Sequence, residues 1–397
     1  MTGSIAVAGA GVAGLTMALC LARTGRTVSL YERAAQIEPV GAGIQLSPNA
    51  LRVLTGLGLL PALEALGVSA RHVTLRDGRT GARLADIPVL AGDGTPYLSI
   101  HRADLQEVLL GAARAEPRIT LSFGARLTGL VPGSDGIDLS LETADGTLAR
   151  RHPLLVAADG LNSAVASALG LPGPHRSRYA AWRILAPAQD GAALSGIEAY
   201  LHARWHAVVY PVHGGRTTNL VLIAPVDSLP PSNADRAALS AALAGAAPAL
   251  GALVERGTFV GCWPMAAAPQ NRPYTHGDRI ALLGDAAHAM LPFAAQGAAM
   301  GIEDAAVLAA ALSATPDTGA ALRRYEFERR PRLARVLRRV AFHDRVYHMG
   351  PAGALARNLV MRLTPPARLS AGLSWLYDWQ PPEIRAVAFE TPPSTPS

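Results

Sequence analysis

The sequence predicts an α/β fold in which a nucleotide-binding layer is interrupted by a β-rich layer and closed by C-terminal helices. Three observations carry this expectation. A strand, a Gly9-x-Gly11-x-x-Gly14 turn and a helix open the chain, and "DRIALLGDAAHAM" (Asp278 to Met290) returns to the same strand-to-loop-to-helix style. Between them, residues from about Tyr179 to Val260 alternate in β fashion. The nucleotide-binding part takes residues 1–72, 100–175 and 272–340, and the β-rich, substrate-holding part takes 73–99 and 176–271. A C-terminal helical segment covers 341–390, and the Pro- and Ser-rich residues 391–397 form a tail.

With 397 residues, half of them apolar, the chain can bury a large core. The formal charge is +6, yet there is no lysine, so every permanent side-chain cation is arginine. That excludes a lysine Schiff base, a Walker-type phosphate lysine and a lysine general base. The basic residues concentrate in "LRRYEFERRPRLARVLRR" (Leu322 to Arg339) at helical spacing. With no aromatic-rich module beside them, they read as a solvated helical face and not as a nucleic-acid surface. Cys20 and Cys262 sit in apolar surroundings, as buried thiols of a cytoplasmic protein do. The apolar opening lacks the basic start of a signal peptide, and no run reads as a membrane span.

Taken in order, Ile5 to Ala8 form a strand, Leu15 to Ala22 continue as a helix that Gly25 ends, and Val28 to Tyr31 form a second strand ending in Glu32. Gly9 permits the tight turn, Gly11 lets backbone approach a pyrophosphate, and Gly14 lets helix and strand pack closely. Phosphates then meet free N–H groups at a helix N-terminus. Glu32 stands where a carboxylate accepts hydrogen bonds from an adenosine ribose, so the chain binds a dinucleotide in a Rossmann-like domain. A second glycine loop, Val40 to Gly43, leads to a helix that Ser47 can cap and Pro48 begins. Strands run from about Val73 to Leu98, and a helix spans Ile100 to Ala113 with Arg102 at its N-terminal edge. A strand pair follows near Ile119 to Leu130 and Ile137 to Leu141. "LLVAADGLNSAV" then gives a strand from Leu154 to Ala158, an Asp159-Gly160 turn and a helix from Ser163.

Three segments in this order, "GAGVAG…YER", "VAADGLNSAV" and "RIALLGDAAHAMLPFAAQGAAMGIEDA", resemble the single-component FAD-dependent aromatic hydroxylases, such as those acting on salicylate, 3-hydroxybenzoate and 6-hydroxynicotinate. The resemblance spans nearly the whole chain and implies a para-hydroxybenzoate hydroxylase-like fold. It implies that Gly9, Gly11 and Gly14 hold the FAD pyrophosphate, Glu32 the adenosine ribose and Arg33 the adenine edge. Arg102 would reach the phosphate–ribityl region and Asp285 would accept a ribityl hydroxyl. Pro292, Gly297 and Ala298 would lie at the flavin ring, where the helix from Gly297 to Met300 offers N–H groups to anionic reduced flavin. Gly43, Ile44, Gln45, Leu127 and Asp159 complete the implied cofactor contacts. The middle motif departs from the family, with Ala158 where Gly is usual and Ala166 where Arg is usual.

Such enzymes reduce FAD with NADH or NADPH and use O2 to form a flavin C4a-hydroperoxide that hydroxylates a small aromatic substrate. A phenolate reacts better than a phenol, whose pKa is about 10, and a positioned base is typically worth about 10²–10⁴-fold. In "ARWHAVVYPVHGG" (Ala203 to Gly215), His206 and Tyr210 share one face of an extended segment. The 3-hydroxybenzoate and 6-hydroxynicotinate enzymes have a comparable His-x-x-x-Tyr. His206 is therefore expected as base or phenol partner, Tyr210 as substrate hydrogen-bond donor and Gln296 as a third polar contact; the plain alternative is a His and Tyr capping the sheet. Arg183 is open between substrate, cofactor and structural roles. Val208, Tyr210, Met265, Pro292 and Phe293 would wall a pocket for a flat ring. Asp285, His288, Met290 and Gln296 lack metal-ligand spacing, so no metal is expected. Other flavin oxidoreductases (reductase, oxidase, epoxidase) and a non-catalytic redox sensor remain as alternatives, and a halogenase lacks its lysine. A monomer or homodimer is expected, with neither nucleic acid nor membrane as partner.

Overall fold

The computed structural model describes residues 3–37, 43–189, 194, 196–225 and 236–384. Val40 to Ala42 of the second glycine loop, residues 385–390 of the C-terminal segment and the tail 391–397 lie outside them. The strands Ile280–Leu282, Leu155–Ala157, Ile5–Ala8, Val28–Glu32 and Ile119–Phe123 lie parallel in that spatial order, with Thr275–His276 antiparallel at one edge. Three of them are buried at every residue, as expected where helices cover both faces of a parallel sheet. Helix Val12–Arg23 follows the first strand and packs against helix Gly297–Ala314. The latter is long and apolar enough to cross a membrane by composition, but most of it is buried inside the protein.

The second large sheet has seven strands in the order Thr258–Ala267, His175–Pro187, Thr217–Pro225, His206–Val212, Ile197–Leu201, His72–Asp77 and Arg83–Pro88. The last two of these come from far upstream, and His72–Asp77 joins them to the rest by pairing parallel with Ile197–Leu201. Two antiparallel three-stranded sheets complete the β structure: Gly43–Leu46, Tyr97–His101 and Val68–Ala70, and Arg126–Pro132, Ile137–Thr143 and Gly146–His152. Unbroken β alternation to Val260 does not hold. Helices Arg236–Ala242 and Pro248–Arg256 interrupt it, set up by an Ala- and Leu-rich run with Pro248 in the first turn. Leu239, Leu243, Leu250, Leu253 and Val254 pack on Trp182, Ile184, Leu220 and Leu222, covering one face of the seven-stranded sheet.

The arginine-rich helix, Thr318–Tyr347, is also not simply a solvated face. Arg329 is 1% exposed. Its Nη1 donates to Glu303 Oε2 and its Nε to Asp304 Oδ1, both at 2.6 Å. Arg332 donates to Glu303 Oε1 at 2.6 Å, and Asn49 Nδ2 reaches the same oxygen at 2.7 Å. Asp304 Oδ2 accepts from the Gly284 N–H at 2.8 Å and pairs with His288 Nε2 at 2.6 Å. Burial alone would raise the Asp304 pKa, but His288 and Arg329 outweigh it and hold it at about 2. Helical periodicity brings Arg329 inward once the two carboxylates of helix Gly297–Ala314 occupy the core.

Removing one partner from such a network leaves an uncompensated buried charge, a loss of about 3–5 kcal/mol. Arg329→Ala should lose that much in denaturant unfolding. Arg324→Ala, which breaks only an exposed pair with Glu328, should change stability by less than about 0.5 kcal/mol. Equal losses for the two would contradict the assignment.

Candidate active site

The first strand ends at a turn that only glycine fits. Gly9 has φ +99°, and a Cβ there would stand 2.5 Å from the Ala158 carbonyl oxygen; one on Gly14 would stand 1.9 Å from the Gly9 oxygen. Gly11 is different, because a Cβ there meets nothing within 4 Å. Its backbone therefore has open space beside it, where a pyrophosphate would have room to approach the helix start. Glu32 accepts from the Ala10 N–H at 2.7 Å and from the Ala34 N–H at 2.9 Å, which fixes its carboxylate at the end of the second strand. Arg33 beside it is exposed. Ala125 donates to the Glu32 carbonyl at 2.9 Å, so the strand Arg126–Pro132, which carries half-buried Leu127, starts at the same edge.

Further along the cleft, Arg102 is exposed at the start of helix Arg102–Ala115. Asp285 opens onto the cleft; packing around its carboxyl raises its pKa, opposed by His288 and Arg102. Asp159 accepts from the Val165 N–H at 3.2 Å, while its Oδ1 is buried with no partner. Burial raises the pKa of Asp159. No arginine stands at Ala166, and the buried Arg272 supplies a cation whose pKa Asp159 pulls upward against desolvation. At the far end, helix Gly297–Ala314 begins without a side-chain cap, leaving the first N–H groups of Gly297 and Ala298 for another acceptor. An open Gly11 backbone, an orphaned Asp159 oxygen, a cleft-facing Asp285 and an uncapped helix start together fit FAD.

The turn Pro292–Ala294 leads into Ala295, which takes the left-handed conformation at φ +51°, a strained position for alanine. Gln296 holds it there. Its Nε2 donates to Ser47 Oγ at 2.9 Å and its Oε1 accepts from Asn49 Nδ2 at 3.2 Å, with the residue 1% exposed. The amide expected to touch substrate is instead spent inside the protein, and the Ser47 hydroxyl is turned to Gln296 instead of capping its helix.

The uncovered face of the seven-stranded sheet looks toward this cradle. Cross-strand register sets His206 opposite Ile223, Val208 opposite Val221 and Tyr210 opposite Asn219, with Arg183 on the far side of Val221. Arg183 thus lies two strands from Val208, roughly 10 Å laterally, on the face shared by His206 and Tyr210. Its guanidinium makes no hydrogen bond or ion pair among the described residues, lies 5.6 Å above the Trp263 ring and has a buried, unpartnered Nε. Burial lowers its pKa, Tyr210 raises it and Arg102 lowers it further.

Tyr210 differs from expectation. Its hydroxyl donates to the Gly43 carbonyl at 2.6 Å, and Gly43 is a glycine because a Cβ would stand 2.3 Å from the Tyr210 ring. The Gly43 N–H donates to Asn219 Oδ1 at 3.1 Å, so sheet and cradle are joined here. Ile44 and Gln45 continue this strand, Gln45 accepting from Tyr97 at 2.9 Å. His206 is 1% exposed and touches Phe293, Tyr347 and His348. Burial, then His348 and His343, put its pKa well below 6.5. Met265 and Phe293 are buried. Asn219, His343, His348 and Asp344 went unremarked in the sequence because no motif links them to His206.

The chain matches the family described as "FAD binding domain" over residues 2–340 and belongs to that family, the flavin-dependent aromatic hydroxylases. It is 36% identical over 387 residues to 3-amino-4-hydroxybenzoate 2-monooxygenase of Streptomyces cremeus, covering 94% of each chain. It is 32% identical to 3-hydroxybenzoate 6-hydroxylase 1 of Aquipseudomonas alcaligenes, covering 95% of this chain and 98% of that one. The fold matches HpxO of Klebsiella pneumoniae, solved with FAD and uric acid, with a TM-score of 0.82 and 27% identity over 94% of this chain and 96% of that one.

Two outcomes follow. Gly11→Ala should fold with wild-type stability but lose at least about tenfold in flavin affinity, or 1.4 kcal/mol, whereas Gly14→Ala should lower stability itself; flavin absorbance and thermal melting separate them. The pKa values of His206, His343 and His348 are all lowered by burial, His343 to about 4. The unfolded chain therefore takes up protons near 6.5 that the folded chain refuses. Stability should fall as pH drops from about 6.5 to about 4, and His343→Gln should flatten that slope. An unfolding free energy independent of pH across this window would contradict it.

Proposed function

We propose that the chain is an NADH- or NADPH-dependent FAD monooxygenase that hydroxylates a small aromatic carboxylic acid already carrying a hydroxyl group. The observation that carries this is Arg183, an unpaired guanidinium on the sheet face that also presents His206, at a separation one substituted benzene ring bridges. Partly buried, unpaired arginine favours a carboxylate, which it can bind in bidentate fashion. Bound FAD, reduced by the nicotinamide cofactor, supplies an activated oxygen atom from O2.

The chain's own residues do the rest. Arg183 anchors the carboxylate and turns the opposite side of the ring toward His206. Burial keeps His206 neutral, so an imidazole lone pair is present at neutral pH to take the phenolic proton. Tyr210, bonded to the Gly43 carbonyl, and Gln296, bonded to the Ser47 and Asn49 side chains, fix Gly43 and the start of helix Gly297–Ala314. Those uncapped helix N–H groups would face the bound cofactor and favour negative charge there. The relatives support the substrate class, since their names specify hydroxylated benzoates.

The test is nicotinamide oxidation and O2 uptake by the flavin-loaded protein, with 3-hydroxybenzoate, 3-amino-4-hydroxybenzoate and unsubstituted phenol. The acids should stimulate uptake and give a hydroxylated product. Arg183→Gln should weaken the acids by about 10–100-fold, as expected for losing hydrogen bonds to a charged group, and leave phenol unchanged. His206→Gln should slow hydroxylation by about 10²–10⁴-fold with flavin retained. Equal stimulation by phenol and by the acids, or flavin that neither nicotinamide reduces, would overturn the reading.

A further inference from the structure

We propose that His348 and Asp344 are relay residues that carry the proton taken by His206 out to solvent. This rests on the reading of His206 as the base. Asp344 and His348 stand one turn apart at the end of helix Thr318–Tyr347, and so present to one side. His206 Nδ1 lies 3.0 Å from His348 Nε2, and His348 Nδ1 lies 2.9 Å from Asp344 Oδ1.

Chemistry fixes the direction of each bond. An ionised carboxylate only accepts, so His348 Nδ1 carries the hydrogen. The Asp344 carbonyl, 3.0 Å from the same nitrogen, is also only an acceptor and selects the same tautomer. Neutral His348 then has its lone pair on Nε2, which obliges His206 Nδ1 to donate. The lone pair of His206 is left on Nε2, which makes no hydrogen bond among the described residues. The Asp344 carboxylate thus sets, through His348, which nitrogen of His206 is basic.

The surroundings keep this chain in place and open it to water at one end. The His348 ring stacks on Tyr179, with centroids 4.5 Å apart, and Tyr179 donates to Asp344 Oδ1 at 2.8 Å. Arg178 donates to the Tyr179 hydroxyl at 2.6 Å. His343 turns its Nδ1 to the Phe293 carbonyl at 2.8 Å and stacks on Tyr347, so neither enters the path. Exposure rises along the line, from 1% for His206 through 5% for the His348 side chain to 32% for that of Asp344.

The transfer balances. The phenolic O–H breaks as hydrogen joins His206 Nε2, the Nδ1 hydrogen of His206 passes to His348 Nε2, and that of His348 Nδ1 passes to Asp344, which releases it to water. One proton reaches solvent, phenolate remains, and both imidazoles end neutral in the opposite tautomer. Protonation of the product oxygen along the same line restores the starting state. A buried imidazole with a lowered pKa is poorly suited to keep the proton, and the relay removes it.

The first arm of the test needs no substrate. In the flavin-loaded full-length protein labelled with 15N-histidine, the ring nitrogen shifts of His206 and His348 should both report the Nδ1–H tautomer, and His348→Gln should abolish that preference at His206. A His206 in the Nε2–H tautomer in the wild type overturns the proposal. The second arm mixes 3-hydroxybenzoate with the oxidised protein and follows proton release with a pH indicator. His348→Gln and Asp344→Asn should slow release by about 10²-fold with flavin affinity unchanged, and added imidazole should restore the rate in His348→Ala. Wild-type release rates in these variants overturn the relay, whereas wild-type release in His206→Gln overturns the base assignment instead. If 3-hydroxybenzoate does not bind, the substrate reading fails and the tautomers alone decide the relay.

Discussion

Glu303 and Asp304 are adjacent carboxylates on an apolar helix, and each is 0% exposed. Two buried negative charges cannot stand unless cations and hydrogen-bond donors surround them, and here the donors come from three of the elements that shape the cofactor cradle. Arg329 and Arg332 bring in the long C-terminal helix, Asn49 brings the helix after the second glycine loop, and Gly284 N–H with His288 brings the loop that carries Asp285. The network contributes specificity of arrangement more than net stability. It also explains why the Asp285 loop folds back so tightly, since the same carboxylate oxygen takes both the Gly284 amide and the His288 ring.

Once that cradle is fixed, the second large sheet needs only to be registered against it. Tyr210 and Asn219 grip the Gly43 backbone from the sheet side, and Phe293 reaches His206 from the cradle side. The polar residues that look reactive in sequence therefore divide in two. Tyr210, Gln296 and His288 have committed their hydrogen bonds to geometry. Arg183 and His206 keep a guanidinium and a ring nitrogen in hand for a ligand. The helices Arg236–Ala242 and Pro248–Arg256 close the opposite face of the sheet, which leaves the Arg183 and His206 face as the one turned to the flavin layer.

Local features of this fold were legible in the sequence, and contacts distant along the chain were not. The Gly9, Gly11 and Gly14 turn could be read because strand, turn, helix and acid follow within one short stretch, where steric demands act on neighbours. Period-two spacing put His206 and Tyr210 on one face for the same reason. The destination of the Tyr210 hydroxyl was not readable, since Gly43 is 167 residues away and a carbonyl acceptor leaves no mark on residue type. His348 lies 142 residues from His206 and resembles any histidine at a helix end. The inward arginine was hidden by composition: charge counting treats all arginines of the run alike, whereas the helix turns Arg329 toward Glu303 and Asp304. The uniform helical alanine and leucine of residues 236–256 were masked by the β alternation on either side.

The most direct measurement of the account is a crystal structure of the FAD complex with 3-amino-4-hydroxybenzoate. The carboxylate should lie on the Arg183 guanidinium and the phenolic oxygen within about 2.6–3.2 Å of His206 Nε2, with Tyr210 still bonded to Gly43. A ligand bound in the reverse orientation, with its carboxylate at His206 and Arg183 untouched, would contradict it.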